Sequence, residues 1–268
     1  MGMERMDKLL ASTGLWSRKE VKELVRRGRV KVNGAVLAKA EDKADPERDE
    51  IMVDGQVVDC SPFVYIMMNK PDGILSATTD KRQKTVVDLL PEHLRKRGLF
   101  PVGRLDKDTV GLLLLTDDGP LGHELLSPRK HVDKIYHAWV DGHVNDADVE
   151  RLAQGMVLED GLHCLPAGLQ PLGDGSECLV TLREGKYHQV KRMLAACGKP
   201  VTGLKRLSMG PLKLDESALV LFLSSSNSSL LKKRHSPAPR DSSSFKGPIE
   251  SRFSPVTGFP QAASIRLT

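Results

Sequence analysis

Residues 103–119 read GRLDKDTVGLLLLTDDG. They contain the clearest structural signal in the larger part of the chain. Residues 111–115 form a continuous apolar run bounded by turn residues, a pattern typical of a strand with both faces buried. The loop that enters this strand carries Arg104, Asp106 and Asp108. Because surface ion pairs produce the same pattern, the spacing alone leaves open whether one carboxylate is catalytic.

Around this stretch, residues 61–223 contain more predicted strands than helices. We predict strands at 63–69, 100–105, 111–115, 134–140 and 178–183, and helices at 85–90, 145–155 and 187–197. Strands and helices do not alternate regularly. An α+β domain on a mixed, mainly antiparallel sheet is therefore predicted, rather than a doubly wound parallel sheet.

Residues 1–60 are predicted to form a separate small head of two helices followed by short hairpins. Ser17 and Glu20 have the spacing of a capping box at the start of the second helix. Asn33-Gly34 and Asp54-Gly55 are typical hairpin turns. Residues 1–39 hold ten Lys or Arg against four Asp or Glu. This excess predicts contact with a polyanion, although a solvated helix face would look alike.

The composition limits the function classes. The chain of 268 residues has a net charge of +5 and no apolar run long enough for a membrane helix. The charged N-terminus does not resemble a secretion signal. Four widely spaced cysteines indicate a reduced, cytoplasmic compartment. Phosphate-loop, dinucleotide and metal-ligand motifs are missing from the sequence, so no cofactor or metal is predicted. The serine-rich residues 224–268 are predicted to be disordered.

The head resembles the RNA-binding domain named after the fourth small-subunit ribosomal protein. The resemblance lies in residues 5–10 (RMDKLL), Ser17-Arg18 and residues 28–34 (GRVKVNG). Cations fixed on such a surface neutralise phosphates and position RNA without reading its bases. The residues expected to bind RNA here are Arg5, Lys8, Arg18, Lys19, Lys22, Arg26 and Arg29.

The rest of the chain resembles a pseudouridine synthase of the small-subunit ribosomal RNA branch. The motifs are residues 69–73 (NKPDG), the whole stretch 103–119, Lys134-x-Tyr136 and residues 184–193 (EGKYHQVKRM). The last motif is closer to the small-subunit branch than to the large-subunit branch, which typically reads nearer N-R-E-V-R-R. A large-subunit target stays the alternative.

This resemblance implies a role for five residues. Asp106 is expected to be the essential carboxylate, and Tyr136 to lie against the target uracil. Lys191 is expected to pair with the aspartate and keep it ionised, with Arg192 as the second choice. Arg104 would hold the displaced nucleotide or its phosphate after base flipping, and Arg192 is also expected to bind RNA. The implied partner is ribosomal RNA or a ribosomal assembly intermediate, and the protein is expected to be a monomer.

Two other functions are also compatible with these residues. Asp106 and Asp108 could serve a glycosidase as a carboxylate pair, and an RNA-binding ribosome-assembly factor would need no catalysis.

After Glu216 the chain departs from the family pattern and continues with residues 217–223 (SALVLFL) before the serine-rich segment. This departure puts the final strand of the domain in doubt.

Overall fold

The computed structural model describes residues 2–127, 130 and 132–214, and the backbone of residues 220–223. The predicted disorder of residues 224–268 lies outside these residues. In the described part the helices are α1 (Met6–Ser12), α2 (Arg18–Arg26), α3 (Glu92–Arg95), α4 (Gly119–Leu126), α5 (Asp146–Ala153) and α6 (Gln189–Ala196). None of them is long and apolar enough to cross a membrane.

The strands fall into two groups along the chain. Those of the head are β1 (Glu4–Arg5), β2 (Val30–Val32), β3 (Ala35–Val36), β4 (Lys43–Ala44), β5 (Ile51–Val53) and β6 (Gln56–Val57). Those of the larger part are β7 (Tyr65–Lys70), β8 (Phe100–Pro101), β9 (Val110–Thr116), β10 (Lys134–Val140), β11 (Met156–Val157), β12 (His163–Cys164), β13 (Gly168–Leu172), β14 (Glu177–Leu182), β15 (Val201–Met209), β16 (Leu212–Lys213) and β17 (Val220–Leu223).

The head folds as its local signals predict. Ser17 Oγ accepts the backbone N–H of Glu20 at 3.3 Å, and the Glu20 carboxylate accepts the N–H of Ser17 at 2.6 Å, so the capping box is confirmed. Asn33 has a φ of 50° and Asp54 a φ of 54°, which fits the tight hairpin turns predicted at both sites. The two helices and the sheet β3-β2-β5-β6 share one hydrophobic cluster.

A nine-stranded sheet forms the centre of the larger part. Its main path is β13-β14-β10-β15-β9-β7-β17, with β8 and β16 paired at the side. The pair β9–β15 is parallel, and the other neighbours are antiparallel. The predicted α+β class on a mixed, mainly antiparallel sheet is confirmed.

Strand β9 is buried on both faces, as its apolar run predicts. Leu113 and Leu115 belong to one hydrophobic cluster, whereas Leu112 and Leu114 belong to a second one. Successive side chains of a strand point to opposite faces, so the two clusters lie on opposite sides of the sheet at this strand. The loop that precedes β9 therefore leads directly into a strand that is buried in the centre of the sheet.

Two predicted elements are much shorter in the structure, and helices α3 and α4 were not predicted. Residues 85–90 form only a 3₁₀ turn at Val87–Leu89, because the Asp88 carboxylate accepts both the N–H and the hydroxyl of Thr85. The strand predicted at 100–105 ends at Pro101, since Gly103 adopts a φ of 81° that turns the chain. Helix α4 begins where the sequence indicated only a turn.

The final strand that the sequence put in doubt is present as β17. Its backbone pairs antiparallel with β7, with Val220 opposite Met68 and Leu223 opposite Tyr65. Strand pairing requires backbone groups and tolerates many apolar sequences. The altered sequence after Glu216 therefore still closes this edge of the sheet.

A buried ion pair holds the segment that follows the head against the larger part. Arg97 donates to the Asp117 carboxylate at 3.0 Å and to the carbonyls of Ser61 and Pro62 in the connecting segment. Gly14 of the head lies directly against His93, where an added Cβ would come within 2.0 Å of the His93 carbonyl oxygen. The head therefore meets helix α3 through close backbone contact.

Candidate active site

Asp106 lies in a loop that is fixed at both ends. On one side, Ser76 Oγ donates to the carbonyl of Leu105 at 2.9 Å and accepts the Leu105 N–H at 3.1 Å. On the other side, the Thr109 N–H donates to the carbonyl of Asp106 at 3.1 Å. Because the backbone is held, the Asp106 carboxylate, which is about a quarter exposed (26%), has a defined position.

A buried lysine donates hydrogen bonds to the backbone of the same loop. Lys70 at the end of β7 is fully buried, and its ammonium donates to the carbonyls of Pro71, Lys107 and Thr109 at 3.1, 3.0 and 2.9 Å. Burial lowers the pKa of Lys70 to about 8, against the opposing effect of neighbouring carboxylates. Three carbonyls match the three donors of an ammonium, so this side chain joins the loop to the central sheet.

Helix α6 and the residue before it place two side chains, Lys191 and His188, against the loop. Lys191 Nζ lies 2.6 Å from Asp108 Oδ1 and 3.5 Å from Asp106 Oδ2. His188 Nε2 lies 3.3 Å from Asp106 Oδ1. The hydrogen bond from Lys191 lowers the pKa of Asp108. Lys191 thus makes its short bond to Asp108 and a longer contact to Asp106.

The start of helix α6 is held by a buried polar chain. The Gln189 amide donates to Glu184 Oε1 at 2.7 Å, and the same carboxylate oxygen accepts the backbone N–H of Leu165 at 2.9 Å. Gln189 Oε1 also accepts the N–H of Lys186 at 3.0 Å. These bonds, with the buried Val190 on the same helix, fix the direction from which Lys191 approaches the loop.

Tyr136 lies on the central strand β10 and is buried in the cluster that also contains Leu105. Directly opposite it on β15 is Arg206, which is 2% exposed. Arg206 Nε donates to the carbonyl of Leu112 at 2.7 Å, while its Nη2 has no hydrogen-bond partner within the described residues. Lys134 is also buried on β10, and burial together with the nearby Arg206 lowers its pKa.

The two arginines predicted near the catalytic residues have different surroundings. Arg104 is exposed and makes no ion pair within the described ranges. Arg192 pairs with Asp160 at 2.5 Å. In this structure it is Lys191, and not Arg192, that contacts Asp106.

Most of the predicted RNA-binding cations of the head are paired within the head. The pairs are Arg5–Asp7, Lys8–Glu4, Lys22–Glu41, Arg26–Glu23 and Arg29–Asp54. Arg18 and Lys19 at the start of α2 have no ion-pair partner in the part of the chain that the structure describes. These two side chains are therefore the most available to a phosphate.

Sequence reasoning did not assign His188, Lys70 or Arg206 to the site. His188 and Lys70 lie inside the quoted motifs, so a signal was available for both. Arg206 follows no recognisable motif and becomes visible only when the register places it opposite Tyr136.

Comparison with known proteins identifies both parts of the chain. Residues 64–196 match the family described as RNA pseudouridylate synthase, and residues 4–51 match the S4 domain. A crystal structure described as a pseudouridylate synthase superposes with a TM-score of 0.59 at 33% identity, covering 86% of this chain and 99% of the other.

Several curated relatives carry related names. "Uncharacterized RNA pseudouridine synthase YtzG" of Bacillus subtilis is 49% identical over 79% of this chain and 90% of its own length. "Ribosomal small subunit pseudouridine synthase A" of Vibrio cholerae is 37% identical over 80% of this chain and 91% of its own. "Ribosomal large subunit pseudouridine synthase B" of Bacillus subtilis is 38% identical over 76% and 84%. The chain therefore belongs to the RNA pseudouridine synthase family of isomerases and carries an S4 domain at its N-terminus.

Proposed function

We propose that this protein converts one uridine of small-subunit ribosomal RNA to pseudouridine, on free RNA or on an assembly intermediate. The observation that carries the proposal is the contact of Asp106 with Lys191 and His188. Both partners lie in residues 184–193, the motif whose sequence resembles the small-subunit branch. We further propose that residues 1–60 bind the RNA and residues 61–223 carry out the reaction.

The reaction breaks the C–N glycosidic bond, turns the base and forms a C–C bond. Substrate and product are isomers, so the chemistry calls for no added oxidant or hydrolytic water. A carboxylate at the position of Asp106 can act by two routes: attack on C1′ of the ribose, or support of base loss with removal of a proton from C2′. Both routes use the carboxylate of Asp106, and the Lys191 ammonium lies 3.5 Å from it.

Other residues would handle the flipped nucleotide. Tyr136, buried beside the Asp106 loop, is proposed to lie against the uracil. Arg104 is exposed on the same loop and is free to occupy the gap left in the RNA or to bind a phosphate. We propose that the protein acts as a monomer in the cytoplasm.

The alternatives differ in how well the structure supports them. A glycosidase would require one carboxyl to be protonated as general acid, with a raised pKa. The pKa of Asp108 is instead lowered by Lys191, which argues against that pairing. A large-subunit target is the second candidate, because relatives named for the two subunits are almost equally similar, at 37% and 38% identity.

Incubation with each ribosomal RNA tests the proposal. Purified protein, with no cofactor or metal added, is expected to form pseudouridine at one position of small-subunit RNA or its assembly intermediates. Carbodiimide labelling followed by primer extension maps the site. Modification of large-subunit RNA alone would transfer the assignment to the second candidate, and no modification of either RNA would refute both.

The head supplies a separate prediction about binding. Joint replacement of Arg18 and Lys19 by Gln is expected to weaken RNA binding and to reduce the slope of log K against log salt by about one for each lost phosphate contact. Replacement of Arg26 and Arg27, which both pair with Glu23, is the matched control and should change the slope less. Titrations by fluorescence anisotropy at several salt concentrations give both slopes. Equal slopes for wild type and the Arg18–Lys19 variant would contradict phosphate binding at α2.

Lys191 is expected to tune the reactive carboxylate. Lys191→Met removes the cation shared by Asp106 and Asp108 and should lower the single-turnover rate by about 100-fold at saturating RNA. Lys191→Arg keeps the charge and should retain a larger share of the rate. If Met and Arg variants were equally active, the charge at this position would have no part in the reaction.

A further inference from the structure

Tyr187 is an exposed aromatic ring beside the catalytic carboxylate. It exposes 75% of its surface, whereas Tyr65 and Tyr136 are buried. The face of such a ring is a surface on which another planar ring can stack. The established reaction assigns no part to this side chain, because the carboxylate, its cation and the buried tyrosine are other residues.

The ring is held in a defined orientation. Tyr187 stacks on His188, with ring centroids 3.9 Å apart and planes inclined by 20°. His188 in turn contacts Asp106 and has a left-handed backbone with a φ of 49°. Such a conformation is costly for a residue other than glycine and is often retained at functional sites. Tyr187 therefore lies against the face of the His188 ring, while Nε2 of that ring contacts Asp106, and three quarters of the Tyr187 surface stay exposed.

We propose that the open face of Tyr187 stacks on the nucleobase next to the target uridine in the RNA strand. This inference rests on the proposed function, because it uses Asp106 as the position of the target ribose. Because Tyr187 reaches Asp106 only through His188, its exposed ring lies beside the proposed position of the target nucleotide, where an adjacent base of the strand can stack. The exposed Arg104 and Lys107 of the Asp106 loop add positive charge for the strand backbone.

Stacking makes a specific demand on the ligand. The outer face of the ring offers a π surface and no donor or acceptor pattern, so any planar base is accepted and a missing base is not. The site therefore positions the strand rather than reads its sequence. Pre-stacking on His188 means that little side-chain freedom is lost when RNA binds.

The test compares Tyr187 variants on short RNAs that contain the uridine which the wild-type protein modifies, in whichever subunit that uridine lies. Tyr187→Ala is expected to raise KM and Kd by about 5- to 100-fold, with the rate at saturating RNA changed less than threefold, and Tyr187→Phe should restore binding. An RNA with an abasic nucleotide on one side of the uridine should weaken wild-type binding equally. Combined with Tyr187→Ala, that RNA should show little further loss, because the two changes remove the same contact.

A control and a direct probe complete the experiment. Val157→Ala removes another exposed apolar side chain and should leave KM unchanged. Photocrosslinking of 5-iodouridine beside the target uridine should label the peptide that contains Tyr187. Unchanged KM in Tyr187→Ala, or additive losses with both abasic RNAs, would overturn the stacking role while pseudouridine formation by the wild type still stood. A wrong subunit assignment would leave this test intact.

Discussion

Asp106→Asn is expected to abolish pseudouridine formation, with a loss of at least about 1,000-fold in single-turnover rate. A carboxamide has the shape of the carboxylate but cannot act as an anionic nucleophile or base. The loop should keep its conformation, because Ser76, Lys70 and Thr109 hold it through backbone groups rather than through this side chain. Thermal unfolding and RNA affinity should therefore stay close to the wild-type values.

Asp108→Asn is the matched control two residues along the same loop. Asp108 is 70% exposed and interacts mainly with Lys191. Its loss would leave the Lys191 ammonium to Asp106 alone, so at least about one-tenth of the rate should remain. Primer extension after carbodiimide labelling measures both variants on the same RNA. An inactive Asp108→Asn with an active Asp106→Asn would reverse the assignment of the catalytic group.

Local signals predicted those parts of the fold that local physics controls. The capping box at Ser17, the Asn33-Gly34 turn and the apolar run before Thr116 each specify a conformation within a few residues. The class of the sheet followed from the irregular order of strands and helices. The shortened strand at Phe100–Pro101 and the added helix Gly119–Leu126 have local causes as well, namely the positive φ of Gly103 and the Asp118 side chain that accepts the Leu121 N–H, but the apolar pattern does not show them.

The candidate site was predictable from sequence motifs only in part, because some of its contacts depend on how distant segments pack together. Asp106 and Lys191 were predicted from motifs, and the structure places them 3.5 Å apart. The shorter bond of Lys191 to Asp108 could not be predicted, because it depends on how helix α6 is rotated over the loop. Arg206 was missed for a related reason: its position opposite Tyr136 is a property of strand pairing between residues about 70 positions apart.

Lys70→Met is expected to destabilise the protein by about 3 kcal/mol at pH 7, which would lower the melting temperature by roughly 6–12 °C. Methionine fills a similar volume but leaves the carbonyls of Pro71, Lys107 and Thr109 without donors in a buried place. Because two of these carbonyls flank Asp108 in the loop that carries Asp106, turnover should fall as well. Lys107→Met, which alters an exposed side chain of the same loop, is the control for stability and should change the melting temperature by less than about 2 °C.

The pH dependence of this effect has a definite sign. The pKa of Lys70 is about 8 in the folded protein and 10.5 for an ordinary lysine. Between pH 8 and 10.5 the unfolded chain binds more protons at this residue, so its contribution makes the wild type more stable as the pH rises. Below pH 8 both states are charged and the burial penalty is fully present; above 10.5 both are neutral and it is gone. The stability difference between wild type and Lys70→Met should therefore grow by about 2–3 kcal/mol across this window. Urea unfolding of both proteins at pH 7.5, 9 and 10 measures the difference, and a constant or shrinking gap would show that Lys70 keeps an ordinary pKa in its buried position.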